Sequence, residues 1–324
     1  MRGPNLRRAV LASPCFALLA LAVADAAEPV AAPAPASSPV DSRTEETRRV
    51  ATAFLTRMFD KGDVRGAYDS FAAPDFIQHN PNMADGLAGH RAYFAKLAAR
   101  SGPPASWANI NNMLIVDGDL FALHHHGFTK AGDPGRVFVD IWRVSGGRIV
   151  EHWDVIQAIP PAIPHGNGVG CGVGDDHASA SAYRGSVTQP TCGLPDAGID
   201  RAQTIAQLDA YTEALSKGDV EAAIRRWFTP DYRQHSPEIP DGVDGAIDYL
   251  RAEFGKGAAA MPKFGQMRTL VDHDFVLKHR LTTYADGRRT ANVDIFRFRD
   301  GRISEHWDVR QDVPATSENA NGMS

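Results

Sequence analysis

The chain states one pattern twice, and nothing else in it constrains the fold as much. Gln78-His79-Asn80-Pro81 returns as Gln234-His235-Ser236-Pro237, and Asp85-Gly86 returns as Asp241-Gly242. Val139-Asp140-Ile141-Trp142-Arg143 returns as Val293-Asp294-Ile295-Phe296-Arg297. Gly147-Arg148-Ile149-Val150-Glu151-His152-Trp153-Asp154-Val155 returns as Gly301-Arg302-Ile303-Ser304-Glu305-His306-Trp307-Asp308-Val309. The offset is 156 residues in the early blocks and 154 in the late ones. Two copies of one small domain therefore lie in tandem. Polar residues kept in both copies are the first candidates for function.

A chain of 324 residues accommodates two such domains, each long enough to bury its own core. With 43% apolar and 23% charged residues it reads as ordinary globular protein, and a net charge of −5 gives no reason to expect a nucleic-acid partner. The start stands apart. Arg2, Arg7 and Arg8 precede an apolar stretch from Ala9 to Ala24, followed by small residues suited to signal-peptidase cleavage. Residues 1–26 are expected to be a signal peptide, leaving a periplasmic or secreted protein with no membrane attachment after cleavage. Residues 27–43, rich in Ala and Pro, read as a disordered tether. The domains are expected at 44–160 and 199–314, separated by a Gly/Pro-rich linker at 161–198 and followed by a disordered tail at 315–324. Export places Cys171 and Cys192 in an oxidising compartment, where a disulfide between them would close a linker loop and contribute roughly 3 kcal/mol in the chain-entropy model.

Each copy begins with apolar residues at helical spacing, Val50, Phe54, Leu55 and Met58 or Ile205, Leu208, Tyr211 and Leu215. Lys61-Gly62-Asp63 and Lys217-Gly218-Asp219 stop that helix, and a second one follows. A short extended piece, Phe76–His79 or Tyr232–His235, leads to a third helix after Asp-Gly. The pattern then alternates in four strands, Asn109–Val116, Leu120–Phe128, Val137–Val144 and Arg148–Ile156, with counterparts in the second copy. Helices first and an antiparallel meander after make an α+β domain with helices packed on one sheet face.

An aromatic-x-Gln-His-Asn-Pro segment, an Asp-Gly helix start, a Val-Asp-Ile-aromatic-Arg strand and a closing Gly-Arg-Ile-x-Glu-His-Trp-Asp-Val strand resemble the SnoaL-like polyketide cyclase group of the nuclear transport factor 2-like superfamily. The resemblance covers both repeats. It implies two tandem cone-shaped α+β barrels, each with helices on a curved, mostly antiparallel sheet, and an intramolecular pseudo-dimer built through the sheet faces. It leaves the activity open, because the fold hosts isomerases, cyclases, hydrolases and binding modules.

The turns suggest a register. If Asp300-Gly301 and Asp286-Gly287 are two-residue hairpin loops, Asp294 faces both Trp307 and His279. By the same logic Gly146-Gly147 sets Asp140 opposite Trp153, with His124 or His126 on its other side and His125 pointing away. In this register His152 and Asp154 also point away from the cone, and a slip of one residue would reverse the assignment. An aspartate against a large apolar ring is poorly solvated, which raises its pKa toward values useful for taking a proton from carbon.

The family resemblance implies Asp140 as general base for an aldol closure, helped by His126 or His124, with His79 and Asn80 at the mouth. In the second copy the matching residues are Asp294, His279, His235 and Ser236. Trp142, Trp153, Phe296 and Trp307 would line the two pockets. If one copy has lost activity, it is the second, where Leu281 stands for His126. The Asp140/Arg143 and Asp294/Arg297 pairs could be structural ion pairs, but their odd spacing puts the partners on opposite faces. His79, His124 and His126 offer metal ligands that the second copy cannot match, so no cofactor is expected. Two functions follow from this reading: acid–base chemistry on a small carbonyl compound (aldol condensation, cyclisation or isomerisation), or plain capture of a small apolar ligand.

Overall fold

A computed structural model describes residues 42–101, 108–128, 135–160, 163, 165–171, 186–257 and 261–324. The expected signal peptide and nearly all of the tether lie outside the described residues. In the first copy, α1 (Ser42–Leu55) runs into a π-helical turn (Thr56–Asp60) and is followed by α2 (Val64–Phe71), β1 (Ala72–Gln78), α3 (Gly86–Ser101), β2 (Ala108–Asp117), β3 (Leu120–Phe128), β4 (Arg136–Ser145) and β5 (Arg148–Ala158). The second copy repeats this order with α4 (Arg201–Ser216), α5 (Val220–Trp227), β6 (Phe228–Gln234), α6 (Gly242–Gly255), β7 (Lys263–Asp272), β8 (Phe275–Thr283), β9 (Arg289–Arg299) and β10 (Arg302–Asp312). Gly62 and Gly218 adopt φ of 65° and 87°, which ends the first helix of each copy. Asp63 and Asp219 then accept hydrogen bonds from Gly66 N and Ala222 N and cap the second helix.

The sheets have the orders β1-β5-β4-β3-β2 and β6-β10-β9-β8-β7. The meander is antiparallel, while β1 and β6 pair parallel to β5 and β10. Helices cover one face of each sheet. In the first copy this face buries Phe54, Tyr68, Phe76, Phe121, Leu123 and Trp142. The far faces of the two sheets pack against each other, joining Val139, Ile141, Trp153 and Val155 to Val293, Ile295, Trp307 and Val309 in one core.

Reciprocal hydrogen bonds frame that junction. Ile156 N donates to Gln311 Oε1 and Arg310 N to Gln157 Oε1, both at 2.8 Å. Val116 N donates to Asp272 and Val271 N to Asp117, at 2.8 and 2.9 Å. The segment after each copy also crosses to the other. Asn167 Nδ2 donates to Gln234 O, and Asn321 Nδ2 to Gln78 O. His235 Nδ1 meets Gly168 O at 2.7 Å, and His79 Nδ1 meets Gly322 O at 2.8 Å. Residues 315–324 are therefore not the disordered tail expected from composition. They form a strap whose Met323 is buried in the shared core. Cys171 and Cys192 form a disulfide with Cα atoms 5.0 Å apart. Among the described residues no helix is long and apolar enough to cross a membrane.

The register differs from the expected one by a single residue, and the cause is local. Gly146-Gly147 and Asp300-Gly301 do form two-residue loops, with positive φ at all four positions. A β-bulge follows each loop, between the Ile149 and Glu151 pairings and between those of Ile303 and Glu305. The bulge slides every later residue by one, which exchanges the faces. Asp140 therefore pairs with Asp154, and Asp294 with Asp308; on their other side, across hairpins that carry no bulge, they pair with Leu123 and Lys278. The Asp286-Gly287 loop is also one residue longer than expected. Gly287 N donates to Tyr284 O and Tyr284 N to Arg288 O, enclosing three residues.

Candidate active site in the first domain

The slip brings a different set of residues onto the helix-covered face. Asp140 lies there with His125 and His152 on either side. His125 Nε2 meets Asp140 Oδ2 at 2.7 Å, and His152 Nε2 meets Asp140 Oδ1 at 3.0 Å. The far nitrogen of each ring is also engaged. His125 Nδ1 faces Asn109 Oδ1 at 2.6 Å, and His152 Nδ1 faces Gln78 Oε1 at 3.0 Å. Asn109 Oδ1 is an acceptor, because the same amide donates through Nδ2 to Asn111. Each ring thus faces two oxygens, and a neutral imidazole carries one N–H. Two neutral rings therefore leave one of the two contacts of each ring without a proton.

Gln78 is fixed at the end of β1 by Asp85, whose carboxylate accepts from Gln78 N at 2.9 Å. Asp85-Gly86 therefore braces the strand against α3. His125 is held between Phe59 and Phe138, with ring centroids at 4.9 and 4.7 Å. Trp142 stacks on His152 at 5.1 Å and donates to the Tyr68 hydroxyl at 3.1 Å.

Asp154 sits across the strand pair from Asp140 and is 4% exposed. Its Oδ2 accepts from Asn80 Nδ2 at 2.5 Å, while its Oδ1 is buried with no hydrogen-bond partner among the described residues. The two carboxylates diverge in acidity. Burial works against ionisation of both. For Asp140 the hydrogen bonds from His125 and His152 outweigh burial and hold the pKa down to about 2. For Asp154 burial, with the neighbouring Asp140 charge, pushes the pKa up to about 6. The ligand atoms of Asp140, His152 and Asp154 lie within 4.8 Å of one another, close enough for a metal ion. Hydrogen bonds already occupy both Asp140 oxygens and both His152 nitrogens.

The residues singled out from sequence therefore divide. Asp140, Asn80 and Trp142 belong to this cluster. His124 and His126 do not, since they pair with Val139 and Val137 on the opposite face. His124 Nδ1 contacts Asn112 there, and burial drops its pKa to about 3. Trp153 and Trp307 fill the junction between the sheets, with His79 and His235 stacked on them at 4.7 and 4.6 Å. His79 and His235 thus bind the crossing straps and stand away from the cluster. Arg143 pairs with Asp119 and Glu151, each at 2.9 Å, so it is no partner of Asp140. Sequence reasoning missed His125 and set aside His152 and Asp154. The available signal was the repeated His-Trp-Asp triplet, where the polar residues rather than the indole turn out to face the helices.

The second domain keeps the frame and changes the contents. His306 bridges Gln234 Oε1 at 3.0 Å and Asp294 Oδ1 at 3.4 Å, as His152 does for Gln78 and Asp140. Arg280 occupies the place of His125 and is ion-paired with Asp294, both side chains almost wholly buried. Lys278 stands where Leu123 stands and is buried as well. Phe296 replaces Trp142 and packs on His306 at 4.8 Å. His279 lies on the opposite face, contacting Arg268 at 3.4 Å, and burial lowers its pKa to about 3.

With this geometry in hand, sequence comparison agrees. The chain belongs to the SnoaL-like domain family, whose sequence profile matches residues 51–152 and again 208–306. No curated protein matches it. Similar solved structures include TsrD from Streptomyces laurentii, with 22% identity, covering 35% of this chain and 91% of that one at a TM-score of 0.28. An NTF2-like protein of unknown function from Mesorhizobium loti shows 20% identity, covering 36% and 96% at a TM-score of 0.29. A SnoaL-like protein of unknown function from Burkholderia thailandensis shows 15% identity, covering 34% and 96% at a TM-score of 0.29.

Proposed function

We propose that the first domain is an acid–base catalyst acting on a small carbonyl compound, with Asp154 as the base. One observation carries this reading. Both oxygens of Asp140 are committed to histidines, whereas Oδ1 of buried Asp154 has no partner. An unsatisfied buried oxygen costs about 1–3 kcal/mol and calls for a partner that arrives with a ligand. A base whose pKa is near 6 is suited to taking a proton from the carbon beside a carbonyl at neutral pH. Asp140, held ionised, fixes His125 and His152 through their N–H groups and sets the field around Asp154. Enolisation of this kind begins an aldol closure or an isomerisation, the reactions that membership of the family makes natural.

The second domain serves in this account as a structural counterpart. Its buried Arg280–Asp294 ion pair takes the place that the His125–Asp140 contact holds in the first domain. We also propose that the protein works outside the cytoplasm. The basic and apolar start of the sequence and the Cys171–Cys192 disulfide support that placement.

The test is exchange of the methyl protons of acetophenone in D2O, followed by NMR. The wild-type protein should accelerate it, and Asp154→Asn should abolish the acceleration with the fold intact. If acetophenone is held in the first domain without any acceleration of exchange, ligand capture replaces catalysis as the function.

A further inference from the structure

We propose that His90 is a second substrate-contacting residue of the first domain, its Nε2 holding the oxygen of a carbonyl or enol ligand whose adjacent carbon lies over Asp154. The inference rests on the acid–base reading for the identity of the site and goes beyond it in naming the group that receives the substrate oxygen.

His90 lies on α3, which covers the sheet face bearing Asp154. It is 2% exposed, and its Nε2 has no hydrogen-bond partner among the described residues. Its ring lies 3.5 Å from that of Tyr68 and 4.6 Å from that of Phe94. Tyr68 links it to the cluster, since its hydroxyl accepts from Trp142 Nε1 and Trp142 stacks on His152. Two orphaned polar atoms, one on a helix and one on the sheet, thus belong to one enclosed neighbourhood. A single orphan is a packing cost; two in one neighbourhood are the complement of a ligand with an oxygen and an acidic C–H.

The second domain is an internal control. Tyr68, Asn80, His90 and His125 have Ile224, Ser236, Ala246 and Arg280 as their counterparts. Gln78, Asp140, His152 and Asp154 persist there as Gln234, Asp294, His306 and Asp308. His90 is thus present in the domain with the orphaned carboxylate and missing from the one where Arg280 stands for His125. A histidine needed for packing alone would face the same α-on-β contact in both copies, yet Ala246 fills that place fully buried. Burial also lowers the His90 pKa to about 3, so it meets a ligand as a neutral ring. Such a ring suits a carbonyl or enol oxygen and is a poor receptor for a carboxylate.

A groove of about 400 Å³ between α3 and the C-terminal strap, lined in part by Pro81, Asn82, Tyr93 and Ser317, opens next to Asn80. Asn80, which bonds Asp154, immediately precedes Pro81 and Asn82 of its lining, and Tyr93 stands one turn along α3 from His90.

The experiment compares acetophenone with ethylbenzene, which lacks the oxygen, by NMR titration of wild-type protein and His90→Phe. The substituted ring keeps the aromatic packing. The expected result is a loss of acetophenone affinity of about tenfold, worth ~1.4 kcal/mol, with ethylbenzene affinity unchanged and a melting temperature equal to or above wild type. A shift of the His90 Nε2 resonance with acetophenone and not with ethylbenzene should accompany it. Equal losses for both ligands, no loss for acetophenone, or no binding of acetophenone to the wild-type protein would each overturn the proposal. If Asp154→Asn abolishes proton exchange while His90→Phe leaves acetophenone affinity intact, the inference fails and the catalytic reading stands. If His90→Phe behaves as expected but the wild-type protein does not accelerate exchange, the reverse holds.

Discussion

Asp154→Asn should fare better against wild type in stability at alkaline pH than at acid pH while destroying the activity. The carboxylate has an ordinary pKa of 3.8 and a folded-state value of about 6, because burial and the Asp140 charge favour its protonated form. The folded state therefore holds this proton more tightly than the unfolded chain does. Stability from that proton is fully present below the unfolded pKa, falls as pH rises between 4 and 6, and is gone above the folded pKa. A rise of about two units corresponds to roughly 3 kcal/mol lost between pH 4 and pH 8. Asparagine carries no such titration and can still accept from Asn80. Relative to wild type, the variant should be about 3 kcal/mol better placed at pH 8 than at pH 4. Urea unfolding at the two pH values, followed by tryptophan fluorescence, reads this difference directly. If Asp154→Asn destabilises the protein by the same amount at both pH values, the carboxylate is well satisfied in the fold, and the argument from its orphaned oxygen fails.

Other outcomes follow from the same contacts. Proton exchange catalysed by the wild-type protein should rise with pH through about 6, as the Asp154 base ionises, and a profile flat between pH 5 and 8 would count against it. His125→Arg copies the second domain's arrangement into the first and should leave a folded protein with exchange reduced about 10²–10⁴-fold. Arg280→Ala leaves Asp294 buried without its cation and should cost about 3–5 kcal/mol, whereas Arg280→Leu with Asp294→Leu should be close to neutral, both measured by urea unfolding. Deleting residues 315–324 removes the bonds from Glu318 N, Asn319 and Asn321 and uncovers His79, so calorimetry should show a lower melting temperature.

Much of the fold was legible because the duplication repeats its punctuation. Asp63 and Asp219 cap helices, Asp85 and Asp241 pin the strand ends, and Gly146-Gly147 and Asp300-Gly301 form the expected two-residue turns. The site was legible in its residues and wrong in its facing. A turn fixes register only as far as the first bulge, and the bulges at Val150 and Ser304 lie within three or four residues of their loops. Nothing in Ile149-Val150-Glu151 marks a bulge, since the alternation reads equally well on either side of it. His125 was missed for a separate reason: the β3–β4 hairpin sets Leu123 opposite Asp140, which leaves His125 on the same face and turns His124 and His126 away. Tertiary context hid the rest. Trp153 and Trp307 look like pocket residues until the second sheet covers them, and the strap at 315–324 resembles a tail because its hydrogen bonds go to the other domain.

The most direct measurement sets two matched substitutions side by side, Asp154→Asn in the first domain and its counterpart Asp308→Asn in the second, with acetophenone proton exchange as the readout. The account predicts a loss of at least about 10²-fold for the first and wild-type rates for the second. Equal losses, or loss confined to Asp308→Asn, would contradict it.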